Sequence, residues 1–166
     1  MARTGGQKKL FDLGTSLPNG FVYRPDFLSE RIAILGRGRL VGWPLLTHLM
    51  SIGANKLEIF DEDSDDLEII EGINEASVII SAMGRPGLLT PDLFEDMSKS
   101  RALVDAGAAE QGGVVMGDVS DELRDQALQN GWQITPRKGG VGPLTVRTLL
   151  TNVIRAAEDQ VKLVEV

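Results

Sequence analysis

The chain has 166 residues, which is enough for one ordinary domain and too few for two. Its net charge of −7 at pH 7 argues against a nucleic-acid partner, and the absence of cysteine excludes disulfides and thiolate metal sites. The sequence has no apolar run long enough to span a bilayer and no signal-peptide pattern, so we predict no membrane partner and a cytoplasmic location.

Residues 1–30 differ in composition from the rest of the chain. They mix Gly, Pro and Asn with isolated large apolar residues, and they follow neither the helical nor the strand period. We interpret this segment as an irregular N-terminal arm that lies on another surface. Its predicted anchors are Leu10, Phe11, Phe21, Tyr23 and Phe27. A partly disordered leader is the alternative interpretation.

Strand and helix patterns alternate from Arg31 onwards. Short apolar runs predict strands in RIAIL (31–35), KLEIF (56–60), SVIISAM (77–83), RALVDAG (101–107), GGVVMGDV (112–119) and WQITP (132–136). Helical spacing predicts helices in VGWPLLTHLMSI (41–52), DLEIIEGINEA (66–76), TPDLFEDM (90–97), SDELRDQALQN (120–130) and from Pro143 to about Lys162. This alternation predicts a doubly wound α/β domain over residues 31–166, with a mainly parallel sheet and helices on both faces.

Capping residues mark some of these helix boundaries. Thr90 is predicted to cap the short helix that begins at Pro91. Ser120 is predicted to cap the helix that Gly131 ends. The last helix is predicted to carry one apolar face, made of Leu149, Leu150, Val153, Ile154 and Ala157.

Three glycines follow the first predicted strand, in AILGRGRLVGWP. Gly36 permits a tight turn, Gly38 lets the backbone approach a pyrophosphate, and Gly42 lets the helix pack against the strand. The start of that helix offers unpaired amides and a positive dipole end to phosphates. The spacing is one residue longer than the usual dinucleotide fingerprint, but its place between strand and helix predicts a dinucleotide site. A turn without a ligand is the alternative.

An acidic loop follows the second strand. Asp61 lies 19 positions after Gly42, close to where an acidic residue usually binds the adenosine ribose, and Asp63 is a near alternative. With Glu62 they would repel a 2′-phosphate, which slightly favours NAD over NADP. Arg37 points the other way, because a guanidinium in this turn pairs well with a 2′-phosphate. A solvated loop without a ligand remains open as an interpretation.

Five blocks in order, GRGRLVGWP, ASVIISAMGRPG, LVDAG, GDV and ITPRKGGVGPLTVRTLLTNVIRAA, resemble the bifunctional methylenetetrahydrofolate dehydrogenase/cyclohydrolases. The resemblance covers roughly residues 31–160, which correspond to the C-terminal, dinucleotide-binding half of that family. It implies a Rossmann-like fold, NAD or NADP as cofactor, a homodimer built through this half, and hydride transfer involving a folate one-carbon unit.

The resemblance also implies a set of cofactor-binding residues. They are Gly36, Arg37, Gly38 and Gly42 at the phosphate turn, Asp61 at the adenosine end, Ala82 and Gly84 beside the cofactor, and Gly107, Ala108, Gly140, Gly142 and Thr145 near the nicotinamide. Thr145 is expected in the first turn of the last helix, where it satisfies an amide or touches ligand. Asp118 is expected to accept hydrogen bonds from neighbouring loop amides, in a structural role.

This sequence departs from the family at several of these positions. Gly38 stands where the family usually has serine, Asp61 lies near the place of a His-Ser pair, and PRKGG replaces Pro-Val-Pro-Gly-Gly. Arg137 and Lys138 in that segment would attract a folate tail or a phosphate, or they form a solvated basic pair.

The catalytic residues of the family lie mostly in its N-terminal half, in a Tyr-x-x-x-Lys motif that this chain lacks. Its single tyrosine is Tyr23, so no catalytic residue is assigned. The single histidine, His48, is interpreted as a packing residue, and no metal site is predicted. We therefore expect an NAD(P)-dependent oxidoreductase only if a second module completes the site. A non-catalytic dinucleotide-binding or oligomerisation module is the alternative.

Overall fold

The computed structural model describes residues 27–164 of the chain. Its strands are β1 (Ile32–Leu35), β2 (Leu57–Phe60), β3 (Val78–Ser81), β4 (Ala102–Asp105), β5 (Ala109–Gln111), β6 (Val114–Met116) and β7 (Gln133–Ile134). Five of them form one parallel sheet in the order β2-β1-β3-β4-β7. The predicted parallel sheet is thereby confirmed.

Four α-helices accompany the strands. They are α1 (Gly42–Ser51), α2 (Asp66–Glu75), α3 (Asp121–Gln129) and α4 (Val141–Val164), and short 3-10 turns lie at Phe27–Ser29 and Pro91–Leu93. Alternate residues of β1 face opposite sides of the sheet, because successive side chains of a strand do so. Ile32 and Ile34 pack with Leu49 of α1, whereas Ala33 and Leu35 belong to the cluster that contains α2 and α3 residues. Helices on both faces are what the doubly wound prediction required.

The segment between β4 and α3 differs from the prediction. A single strand was expected in GGVVMGDV, but β6 pairs antiparallel with the unpredicted β5 as a separate two-stranded hairpin. Gly112 and Gly113 both have positive φ, 62° and 80°, which a two-residue hairpin turn of this kind requires. The glycine pair thus turns the chain and does not begin a strand.

Helix boundaries agree with the prediction to within one residue at α1, α2 and α3, and they differ for the two other predicted helices. The Ser120 side chain accepts from the Leu123 amide, and Gly131 ends that helix region with a φ of 75°. The helix predicted over 90–97 is wrong: it is a three-residue 3-10 turn, and Thr90 makes no capping hydrogen bond. The last helix begins at Val141, two residues before the predicted Pro143.

Residues 1–26 lie outside the described part of the chain, and with them the predicted arm anchors Leu10, Phe11, Phe21 and Tyr23. The arm–domain division at residue 31 therefore stays a prediction. No helix within residues 27–164 is long and apolar enough to cross a membrane.

Candidate functional site

Two cavities lie at the edge of the sheet where its parallel strands end. Ligands of open α/β sheets bind at this carboxyl edge, where the strand order reverses. A pocket of about 280 Å³ lies beside the ends of β2 and β3 and is lined by Phe60, Asp61 and Met83 among others. A cleft of about 760 Å³ lies beside the end of β4 and the start of α4.

The turn between β1 and α1 is built on close backbone approach. Gly36 has a φ of 104°, and a Cβ atom there would lie 2.5 Å from the Ala82 carbonyl oxygen. A Cβ on Gly42 would collide with the Gly36 carbonyl, well inside 3.0 Å. Among the described residues no side chain caps α1, whose N-cap residue is Val41. The Trp43 amide already donates to the Gly38 carbonyl at 3.0 Å, and Pro44 has no N–H, so within the first turn of α1 the Gly42 amide is the one that can meet an anion.

Arg37 and Asp61, which gave opposite sequence predictions about NADP, form an ion pair. Arg37 Nη1 lies 3.2 Å from Asp61 Oδ2. The other oxygen of Asp61 accepts from the Asp63 amide at 3.0 Å and from the Ser64 hydroxyl at 3.2 Å. Asp61 therefore contacts one guanidinium nitrogen of Arg37, whose side chain is 50% exposed.

A second ion pair crosses the mouth of the pocket. Arg85 Nη2, beyond β3, lies 3.7 Å from Glu62 Oε2, beyond β2. Both side chains are mostly exposed, so the pair adds little stability. It does place a second carboxylate at the open side of the pocket.

The larger cleft is bordered by both glycine-containing stretches. Leu40 and Val41 come from the turn before α1, and Gly139–Gly142 come from the segment around the start of α4. Five predicted site residues line this cleft: Gly107, Ala108, Gly140, Gly142 and Thr145. Asp61 lines the pocket. Neither lining set includes Gly36, Arg37, Gly38, Gly42, Ala82 or Gly84, which lie at the turn or along the loop after β3.

Two residues of the cleft have partners that the sequence did not indicate. The Thr145 hydroxyl donates to the Val141 carbonyl at 3.0 Å, because the early start of α4 moves Thr145 beyond the free amides of the first turn. Arg137 forms a two-bond ion pair with Asp121, at 2.8 and 2.6 Å. The two side chains are 48% and 66% exposed, so the pair is a weak surface interaction.

Asp118 has the partners that the sequence predicted. Its carboxylate accepts from the amides of Met83 (2.8 Å) and Arg85 (2.7 Å) and from the Ser81 hydroxyl (2.7 Å). The prediction that it binds loop amides is confirmed.

Sequence reasoning missed a second carboxylate in the same region. Asp105 accepts from the amides of Asp118 (3.0 Å) and Val119 (3.3 Å), and it pairs with Arg124 at 3.0 Å. Arg124 also donates to the Thr135 carbonyl. The one available signal was the position of Asp105, at the carboxyl end of a buried strand.

A sequence model of the family described as tetrahydrofolate dehydrogenase/cyclohydrolase, NAD(P)-binding domain, matches residues 22–161. The chain belongs to this family. The resemblance predicted from the five sequence blocks is therefore confirmed.

Curated relatives carry the name bifunctional protein FolD. The protein from Macrococcus caseolyticus is 32% identical over 133 residues, and that from Desulforamulus reducens is 35% identical over 132 residues. Each alignment covers 80% of this tetrahydrofolate dehydrogenase/cyclohydrolase-type chain but only 44% and 43% of the relative. The chain thus spans less than half the length of these relatives.

Solved structures give the same picture. The bifunctional FolD enzyme from Campylobacter jejuni superposes with a TM-score of 0.66 at 29% identity, over 79% of this chain and 44% of the other. The Trypanosoma brucei FolD, solved with NADP and an inhibitor, gives 0.66 at 28% identity, over 80% and 44%. This chain therefore has the Rossmann-like fold of these structures.

Proposed function

We propose that the chain binds NAD or NADP along the carboxyl edge of its sheet, with the adenosine in the pocket and the nicotinamide in the cleft. The turn between β1 and α1 carries this proposal. Gly36 and Gly42 leave no room there for a Cβ atom, and the positive end of the α1 dipole, with the Gly42 amide, would face a pyrophosphate. The Trypanosoma brucei relative solved with NADP supports the same class of ligand.

Each predicted site residue has a place in this binding mode. Gly36, Arg37, Gly38 and Gly42 would border the pyrophosphate, Asp61 the adenosine ribose, and Ala82 and Gly84 the length of the dinucleotide. Gly107, Ala108, Gly140 and Gly142 would meet the nicotinamide through their backbone, and Thr145 would lie beside them. A bound nicotinamide supplies a hydride acceptor or donor, and the protein supplies its orientation.

Tryptophan fluorescence tests the binding proposal directly. Trp43 adjoins the turn and is 51% exposed, whereas Trp132 is 3% exposed and donates to the Met97 carbonyl. Titration with NAD or NADP should change the emission of Trp43 and leave that of Trp132 unchanged. A Trp43→Phe variant should lose the fluorescence change but keep the heat of binding. No fluorescence change and no heat with either nucleotide would refute the proposal.

We also propose that NAD is favoured over NADP. Asp61 pairs with Arg37 across 3.2 Å and Glu62 follows it, so a 2′-phosphate would meet two carboxylates and would have to compete with Asp61 for Arg37. Asp61→Ser should free Arg37 and shift the NADP/NAD affinity ratio towards NADP by about tenfold. Glu71→Ser is the control, because Glu71 is an exposed carboxylate of α2 that lines neither cavity. An unchanged ratio in Asp61→Ser would contradict the preference.

Hydride transfer to or from a folate one-carbon unit is proposed only with a second module. The chain spans 44% of its first relatives, and the walls of its cleft include no tyrosine and no lysine among the described residues. The N-terminal half of the Campylobacter jejuni relative, produced separately, is a suitable complement. Mixing the two should give folate-dependent NAD(P) reduction that neither shows alone. Inactivity with N-terminal halves from several relatives would favour a non-catalytic dinucleotide-binding module, our second candidate.

We further propose that two copies associate through the β5–β6 hairpin. Val114 and Val115 on it are 54% and 69% exposed, and the hairpin pairs only with itself among the described strands. Light scattering should give twice the chain mass of 17.9 kDa, and Val115→Lys should reduce it towards one copy. Leu128→Lys, on the exposed side of α3, should leave the mass unchanged. A cytoplasmic location also stays a prediction.

A further inference from the structure

Two buried carboxylates lie between the pocket and the cleft. Asp118 is 0% exposed, and the side chain of Asp105 is 6% exposed. Asp105 is the last residue of β4, and Asp118 lies between the β5–β6 hairpin and α3. The two residues therefore stand at the two ends of the segment that contains the hairpin. Buried carboxylates are costly unless they are hydrogen-bonded, and both of these are.

The two carboxylates interlock with the backbone around them. A Cβ atom on Gly107 would collide with the carboxyl group of Asp118, and one on Gly117 would collide with that of Asp105. Each carboxylate thus occupies the space that only a glycine leaves open. The two segments cannot move apart or slide without losing this fit.

The partners of the two carboxylates belong to different cavities. Asp118 binds Ser81, Met83 and Arg85, and the last two line the pocket. Asp105 binds the amide of Asp118 itself and the guanidinium of Arg124, which lines the cleft. One chain of hydrogen bonds therefore runs from the wall of the pocket to the wall of the cleft.

Backbone contacts extend the same connection. The Leu89 amide donates to the Asp118 carbonyl at 2.9 Å, and the Gly87 amide donates to the Gly117 carbonyl at 3.1 Å. Leu89 lines the pocket and Gly117 lines the cleft. The loop after β3 and the segment before α3 are thus joined along their length, with Asp118 at the centre.

We propose that Asp118 is a positioning residue that fixes the spacing between pocket and cleft, so that both halves of one dinucleotide are held at the same time. This inference rests on the proposed nucleotide function. A ligand whose two halves fill both cavities gains affinity from the covalent link between them only when the spacing of the cavities matches the ligand. The affinity of a ligand that fills one cavity does not depend on that spacing.

The test compares NAD with AMP, which carries only the adenosine half. In Asp118→Asn, an NH₂ group replaces one of the two acceptor oxygens. Whichever oxygen is replaced, the NH₂ group faces a group that donates to Asp118, either the Arg85 amide or the Ser81 hydroxyl and Met83 amide, so hydrogen bonds are lost. We expect NAD affinity to fall about tenfold or more and AMP affinity to fall less than threefold. Ser81→Ala removes one of the three donors and should change the NAD/AMP ratio in the same direction, by about threefold. Ser81→Ala provides the test if Asp118→Asn does not fold.

Arg101→Ala is the matched control for a purely structural effect. Arg101 is also buried and donates three hydrogen bonds, to the carbonyls of Asn74, Ala76 and Asp96, and neither Arg101 nor these partners line a cavity. It should lower the melting temperature and leave the NAD/AMP affinity ratio unchanged. If the parent protein binds NAD but Asp118→Asn and Ser81→Ala leave the NAD/AMP affinity ratio unchanged, the positioning role is refuted and the proposed nucleotide function still stands. If the parent protein binds neither NAD nor AMP, the proposed function itself fails, and the positioning role with it.

Discussion

Gly42 shows how one missing side chain allows the turn before α1. Its α-carbon faces the Gly36 carbonyl so closely that any Cβ atom would overlap with it. At Gly38, two residues after Gly36, a Cβ atom would meet no described heavy atom within 4 Å, and φ there is not positive. The turn therefore does not need its three glycines for the same physical reason. Gly42 is needed for the fold of the turn, whereas Gly38 has room for a side chain.

Gly42→Ala is expected to cost about 1–3 kcal/mol of unfolding free energy, because the backbone of the turn must shift to admit the methyl group. The same shift should abolish NAD binding. Urea denaturation and calorimetric titration measure the two effects. Gly38→Ala is the control and should change stability by less than about 0.5 kcal/mol. Equal stability of both alanine variants would contradict the packing argument.

Arg101 is a buried cation held by carbonyl oxygens. It donates to the carbonyls of Asn74 (2.9 Å), Ala76 (3.3 Å) and Asp96 (2.8 Å). Its guanidinium lies 5.5 Å from the ring centre of Phe94 and 5.1 Å from that of Trp132. Burial lowers the pKa of Arg101, and the charge of Asp96 opposes this, but arginine stays protonated in proteins. The residue therefore joins the end of α2 to the segment before β4.

Arg101→Ala should lower the unfolding free energy by about 3 kcal/mol, since it leaves buried carbonyls without donors and opens space between two rings. The neighbouring Lys99 is exposed, and Lys99→Ala should stay within about 0.5 kcal/mol of the parent protein. Guanidinium denaturation separates the two outcomes. NAD affinity should be unchanged in Arg101→Ala at temperatures where the variant is folded, because Arg101 lines neither cavity.

At the scale of elements, the sequence predicted best what its own local pattern determines. The apolar strands β1 to β4 and the Ser120 cap are readable because burial and capping act on adjacent residues. The strand β5 (Ala-Glu-Gln) was missed because it carries no apolar alternation and lies outside the main sheet. In the site, the glycine turns and Asp118 were predicted. The Asp105–Arg124 pair was not, since it depends on how β4 and α3 meet.

The apolar face of α4 was predicted, but its surroundings were not. Val146, Leu149, Leu150, Val153 and Ile154 are 58–61% exposed. Amphipathic spacing shows that a helix face has a partner, and it does not show whether the same chain supplies it. In the described residues 27–164 no other element covers this face. The face follows directly after Gly139–Gly142, and Val146 on it lines the cleft.

Replacing Leu149 and Ile154 by Glu should therefore leave the stability of the isolated chain within about 0.5 kcal/mol, since both side chains already face solvent. Leu123→Ala on α3, which is 0% exposed, should cost about 2–5 kcal/mol by comparison. Chemical denaturation compares the three proteins. A large loss in the α4 variants would show that this face is covered in solution by the chain itself or by a second copy.

At the scale of the whole molecule, the two cavities lie at one edge of the described sheet, and the apolar face of α4 lies uncovered beside the cleft. The β1–α1 turn, the loop after β3 and the segment before α4 all meet at the edge where we propose that the dinucleotide binds. Under the proposed function, a second module supplies the wall that holds the folate. Ligand binding by this chain should accordingly separate into a nucleotide that binds alone and a folate that does not.

Thermal unfolding tests this separation. A ligand present at 100 times its dissociation constant stabilises a protein by about 2.7 kcal/mol, which for a chain of this size raises the melting temperature by about 5–10 °C. NAD should produce such a shift, and NADP a smaller one at equal concentration because of Asp61. Tetrahydrofolate should produce none, with or without NAD, until an N-terminal half of a relative is added. A shift by tetrahydrofolate alone would mean that this chain already forms a folate site, and the second module would not be needed for binding.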